Sequence, residues 1–168
     1  AQDNPARQAR CHAYLGMVAH ARGDWSEAAA QYDRAYLLSD ECGDRHGAAT
    51  AAVNLAAALT ELEQVAAALR RYRDGMVRLS SVGRPAEVAQ AGANYARLLH
   101  RIGDAEGARQ AADRALQRAR EGDAPTVLTA AMAVCGEVNA AAGFAQEGAA
   151  FLEEALGRME GEGVSDAA

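Results

Sequence analysis

The chain has 168 residues, room for one domain of ordinary size, and half of them are apolar while only 5% are aromatic. Its formal net charge of -6, from 23 acidic and 17 basic residues, argues against nonspecific nucleic-acid binding, which requires a basic face. No stretch approaches the roughly 18 unbroken apolar residues of a membrane-spanning helix.

Alanine supplies roughly a quarter of the chain, and there are only three prolines. Alanine is the best helix former and lets helices approach closely, so the composition predicts an all-helical chain with a thin core of many small contacts. All 17 basic residues are arginine. That usage points to a GC-rich bacterial coding sequence. The start, Ala1-Gln2-Asp3-Asn4-Pro5, does not have the charged-then-apolar layout of a signal peptide, and a cytoplasmic setting is expected. The first residue is not methionine, which suits a fragment of something longer. The cysteines, Cys11, Cys42 and Cys135, have neither a disulfide framework's spacing nor a CxxC pair. They read as small buried apolar residues in a reducing compartment.

Taken in chain order, residues 7–22 carry Cys11, Tyr14, Leu15 and Val18 at helical spacing. Gly23-Asp24 stops that helix and starts the next. Asp24 is the expected N-cap, with Glu27 three residues on as in a capping box. The second helix, residues 25–40, places Ala28, Ala29, Tyr32, Ala35 and Tyr36 on one face. The arrangement then repeats. Leu15-Gly16 aligns with Leu55-Ala56, Tyr95-Ala96 and Cys135-Gly136, and each pair is followed by a break at Gly23, Glu63, Gly103 and Gly143. Small residues recur at Ala28, Ala68, Ala108 and Gly148, and again at Ala35, Gly75, Ala115 and Ala155. Every column keeps a spacing of 40 residues. Pro85 and Pro125 fall in the first turns of helices, where a missing N–H costs nothing.

The pattern predicts one domain over residues 1–168, with repeats at about 7–43, 44–83, 84–123 and 124–160 and a flexible tail at 161–168. Fraying is expected from residue 157 onward, among three glycines. The small columns mark helix crossing points. Trp25, Tyr32, Tyr36, Leu55, Leu59, Leu69, Tyr72, Tyr95, Leu98, Leu99, Leu116, Phe151, Leu152 and Leu156 are expected to fill the gaps around them.

The run Leu15-Gly16, Gly23-Asp24-Trp25-Ser26-Glu27-Ala28, Tyr32 and Ala35 resembles the tetratricopeptide (TPR) motif. Tyr95-Ala96, Gly103-Asp104, Ala108 and Ala115 repeat it. Glu63 in the second copy and Phe144 in the fourth depart from the turn signature. The usual period is about 34 residues. The longer spacing here is similar to the long-helix variety of kinesin light chains and bacterial signalling regulators. The resemblance implies a right-handed all-α solenoid of four helix–turn–helix repeats, about eight antiparallel helices, whose first helices line a concave groove.

By register, that groove is expected to present Tyr14, Met17, Asn54, Glu61, Gln90, Asn94, Arg97, His100 and Arg101. Stacked asparagines in related solenoids grip an extended peptide backbone, and a carboxamide offers both a donor and an acceptor for that task. Arg97 and Arg101 suit an acidic group or pairing within the protein.

Catalytic and cofactor signatures are missing. There is no GxGxxG, GxxxxGK[ST] or GxSxG. His20 and His100 share a register but stand two repeats apart, too far for one metal ion. His12 and His46 have no ligand partners at suitable spacing. No cofactor, metal or enzymatic activity is expected. The expected function is a protein- or peptide-binding scaffold, a regulatory module of a larger bacterial protein. The alternatives are a homodimer formed through the terminal face around Phe144, Phe151 and Leu152, and a ligand-sensing module of a regulator.

Overall fold

The computed structural model describes residues 4–165. Eight helices are present among them: α1 Pro5–Ala21, α2 Trp25–Glu41, α3 Arg45–Glu61, α4 Val65–Ser81, α5 Pro85–Arg101, α6 Ala105–Glu121, α7 Pro125–Ala141 and α8 Ala145–Ser165. The protein is all-α, built of sequential antiparallel helix pairs. The chain forms two units, Ala1–Arg84 with α1–α4 and Pro85–Ala168 with α5–α8. Helix α8 continues through Ser165, across most of the tail expected at 161–168; the last three residues lie outside the described residues.

Seven of the helices are 17 residues long, joined by links of three. The chemistry of those links sets the length. In the first, Gly23 takes a left-handed φ of 75°, its N–H donates to the His20 carbonyl, and the Asp24 N–H donates to the Ala19 carbonyl. This is a Schellman cap, which satisfies the carbonyls a helix end leaves open. Asp24 then caps the next helix, its carboxylate accepting from the Glu27 N–H at 3.1 Å. Only that half of the expected capping box forms, because the Glu27 carboxylate accepts from Gln31 instead, at 2.6 Å. The turn recurs at Gly43, Glu63, Gly83, Gly103 and Gly143, so links within and between repeats share one design. The link between α6 and α7 differs. Gly122 is extended there, and Pro125 opens α7.

Within a pair, helices meet through the small-residue columns. A Cβ on Gly16 would stand 2.6 Å from the Tyr32 ring, and one on Gly136 would stand 2.6 Å from Leu152. Ala28, Ala68 and Ala108 are fully buried at the matching position of the second helix. The core of the first unit adds Tyr32, Leu55, Tyr72 and Leu79; that of the second adds Leu98, Leu116, Met132, Val134 and Val138. Each large aliphatic side chain contributes roughly 1.5–3 kcal/mol by its burial.

Three expectations about burial need correction. Cys11 and Cys42 are exposed, and only Cys135 is buried. Leu15 and Val18, placed at helical spacing on the first helix, are exposed. So is Leu156, expected in the core. At the matching positions within the units, α2 packs over Leu55 and Ala58 of α3, and α7 packs over Leu116 of α6.

Two substitutions test this frame. Glu63 adopts a left-handed φ of 58°, which costs a non-glycine residue about 1 kcal/mol. Glu63→Gly should therefore raise Tm by about 2–4 °C in a thermal melt. Gly148→Ala should do the reverse. Helix propensity alone favours alanine by about 1 kcal/mol. However, the new Cβ would lie 2.8 Å from both the Ala140 nitrogen and the Gly136 oxygen, backbone atoms that cannot swing aside. Overpacking should prevail, with a net loss of about 1–2 kcal/mol in urea denaturation.

Candidate functional site

The first helix of each pair carries the residues expected to line the groove, and each unit presents its own set. In the first unit α1 touches α3 directly. Tyr14 and Met17 are exposed on α1, one turn apart. Asn54 is half-buried on α3 and Glu61 lies exposed two turns later. In the second unit α5 touches α7. Gln90, Arg97, His100 and Arg101 are exposed on α5, and Asn94 is half-buried among them. Val134, which shares the asparagine register on α7, is buried.

The two asparagines behave alike. Neither carboxamide makes a hydrogen bond among the described residues, and neither is a sealed-off orphan. Both keep donor and acceptor capacity facing accessible space. Arg97 is different: its Nε donates to the Glu137 carboxylate on α7 at 3.3 Å, with both side chains about half exposed. An exposed pair of this kind is worth little and exchanges readily with an incoming charge.

A second polar constellation lies in the first unit, on the second helices, and the repeat alignment passed over it. Arg78 donates to Asp74 at 2.9 Å, to Asp40 at 2.6 Å and to the Tyr36 hydroxyl at 3.0 Å. Arg71 donates to Asp33 at 3.1 Å, and its guanidinium sits 4.5 Å from the centre of the Tyr36 ring. Together these residues tie α2 to α4. Burial and the neighbouring Asp74 carboxylate raise the Tyr36 pKa above its usual 10.0, so the phenol remains a neutral donor and acceptor. Asp33, Tyr36, Leu55, Leu59, Arg71 and Asp74 lie along a cavity of about 650 Å³. Both Asp33–Arg71 and Asp40–Arg78 span 38 residues, and that fixed offset was a readable signal.

Among the described residues there is no group of three or more His, Cys, Asp and Glu side chains arranged for a metal ion. No described helix is long and apolar enough to cross a membrane. His20 and His100 also have different surroundings. His20 packs edge-on against Trp25 at 4.8 Å, whereas His100 is exposed.

The cysteines provide a check on the second unit. Burial pushes the Cys135 thiol up from 9.0 to about 12, keeping it protonated and unreactive. The folded pKa lies above the unfolded one, so this contribution to stability is complete below about pH 9 and is lost as the pH climbs through about 12. At pH 8, Ellman's reagent should label Cys11 and Cys42 quickly and Cys135 only after denaturant is added.

No protein-family model matches the chain, and no curated protein matches it. Solved structures do. BtubC (BKLC) from P. vanneervenii superposes with a TM-score of 0.86 at 22% identity, over 96% of this chain and 67% of that one. The apo form of RapI gives 0.86 at 12% identity, over 96% and 59%. Nearly identical TPR-like repeats of a Podosopora anserina kinesin light chain give 0.74 at 17%, over 93% and 76%. The chain thus spans about two thirds of the first protein's length and less than two thirds of the second's. At such identities the likeness is one of fold, and the fold of this chain is that of TPR-like α-solenoid proteins.

Proposed function

We propose that the chain is a non-enzymatic module that holds a protein or an extended peptide through the first-helix faces of its repeats, as a cytoplasmic regulatory part of a larger bacterial protein. The observation that carries this reading is the state of Asn54 and Asn94. They occupy the same position in successive repeats, remain partly accessible, and leave both halves of their carboxamides unused. A carboxamide pairs with the N–H and C=O of any peptide group, so such residues bind backbone without demanding a particular sequence.

The flanking residues suit side-chain contacts. Tyr14 and Met17 offer an exposed aromatic ring and an adaptable thioether on α1. Arg97, His100, Arg101 and Gln90 give the α5 face a basic and polar character that favours acidic side chains. The TPR-like fold supports the general class of activity, and the unused carboxamide that each unit presents supports contact with peptide backbone.

The test is quantitative capture from lysate of the source organism, comparing the wild type with an Asn54→Ala/Asn94→Ala double variant. The double variant should retain its Tm, because neither side chain is a bonded core group. It should lose partner affinity about tenfold or more, the equivalent of one net hydrogen bond of about 1 kcal/mol at each site. Equal capture by both proteins would remove the first-helix faces from consideration.

A further inference from the structure

The joint between the two repeats of the first unit is spanned on one side by side chains alone. Helix α3 packs on both α2 and α4, but α2 and α4 do not approach each other closely. The Arg71–Asp33 and Arg78–Asp40 bridges cross the space that remains. The first of these bridges borders the cavity of about 650 Å³, which is within the roughly 300–1,000 Å³ of pockets that enclose a small ligand. Its floor is apolar, with buried Leu55 and Leu59 on α3 and half-buried Leu62 just after it. Ala29 on the α2 wall and Ala67 on the α4 wall are too short to fill it.

The second unit fills the same place with its own side chains. Two repeats later in the sequence, Arg109 stands in place of Ala29, Phe144 in place of Gln64 and Phe151 in place of Arg71. The Arg109 guanidinium lies 4.7 Å over the Phe144 ring, and Phe151 is half-buried. What stays open there is about 350 Å³, along Glu147, Ala150, Phe151 and Glu154. Those four are the counterparts of Ala67, Arg70, Arg71 and Asp74. An aromatic ring stacked with a guanidinium is therefore what this notch accepts, and the first unit lacks the ring.

The polar lining sets the charge of an occupant. Both carboxylates are engaged, Asp33 accepting from Arg71 at 3.1 Å and Asp74 from Arg78 at 2.9 Å. The second Asp74 oxygen, Oδ2, has no donor but is shielded from solvent, out of reach of a molecule entering from outside. Donors, by contrast, are unspent. Ser26, Gln64 and Arg70 line the cavity, are exposed, and make no side-chain hydrogen bond or ion pair among the described residues. Arg71 commits only one nitrogen to Asp33.

We propose that this cavity binds a small aromatic acid, with its ring on the leucine floor between Ala29 and Ala67 and its carboxylate at Arg70. A guanidinium stacks on an aromatic face and also pairs with a carboxylate through parallel N–H donors, so the arginines suit both ends of such a molecule. The bound molecule fills space that the bridges merely span, and stabilises the folded joint by mass action. The site uses neither Asn54 nor Asn94, so it stands or falls separately from the peptide-binding reading.

The probe is 2-naphthoate, followed by two-dimensional amide NMR on the 168-residue chain. Saturable shifts should map to α2, α3 and α4 around the cavity, and Tm should rise with naphthoate concentration. The uncharged 2-naphthamide should bind about tenfold more weakly, and Arg70→Gln should weaken naphthoate binding by about the same factor. Arg70 is exposed and unpaired, so that variant should fold as the wild type does. The double variant Ala29→Arg/Gln64→Phe copies the stacked pair of the second unit into the first. It should keep the wild-type Tm or exceed it in circular dichroism melts, and it should no longer bind naphthoate. Absence of saturable shifts with naphthoate would overturn the proposal, as would shifts that the folded double variant leaves unchanged. Equal binding of naphthamide and naphthoate, with Arg70→Gln silent, would overturn the assignment of an acid.

Discussion

The structure rests on how closely two antiparallel helices can approach. At the Gly16–Tyr32, Gly75–Val53 and Gly136–Leu152 crossings there is no space for even one methyl group, and a Cβ would fall 2.6 Å from its neighbour. Close approach turns alanine, a weak source of hydrophobic energy taken singly, into a core. With backbones nearly touching, small side chains still exclude water and make dense dispersion contacts. An aromatic content of 5% is sufficient for this chain for that reason. The larger residues serve as spacers on either side of the crossings.

Length is set by the turns. At six of the seven links a Schellman cap closed by a left-handed residue stops one helix and lets the next begin within three residues, and Asp24, Asp44 and Asp104 add an acidic N-cap. Glu63 adopts that conformation without being glycine, so the local requirement there is imposed by the flanking pairs rather than by the residue itself. Tertiary packing outweighs a local preference of about 1 kcal/mol.

Helix type, pairing and the crossing columns were legible in the sequence because they repeat, and repetition averages out the ambiguity of any single window. The turns between repeats were not singled out, although Gly43 and Gly83 mark them as clearly as Gly23 and Gly103 mark the others. The alignment looked for a period of one hairpin, and the finer period is one helix. Burial at the ends was misjudged for a related reason. Leu15, Val18 and Leu156 have the chemistry of joint residues, and periodicity records chemistry but not whether a neighbour is present. The Arg71–Arg78–Tyr36 constellation escaped because it belongs to one joint and appears in no column. The state of Asn54 and Asn94, half-buried with unused carboxamides, depends on what their neighbours fail to offer, and a linear pattern carries no information about that.

The uniform measure of 17 helical residues and three linking ones has an evolutionary side. Because the same turn joins helices within and between repeats, most junctions accept the same upstream and downstream geometry. Gain or loss of a whole hairpin leaves every later helix in its former role. Gain or loss of a single helix with its link would also splice without strain at the turn, yet it would exchange first helices for second ones from that point on. The half-buried asparagines would then leave the first-helix faces, and the small columns would face the wrong partners. Such a chain tolerates change in steps of two helices and resists it in steps of one, although its turns alone enforce no such distinction.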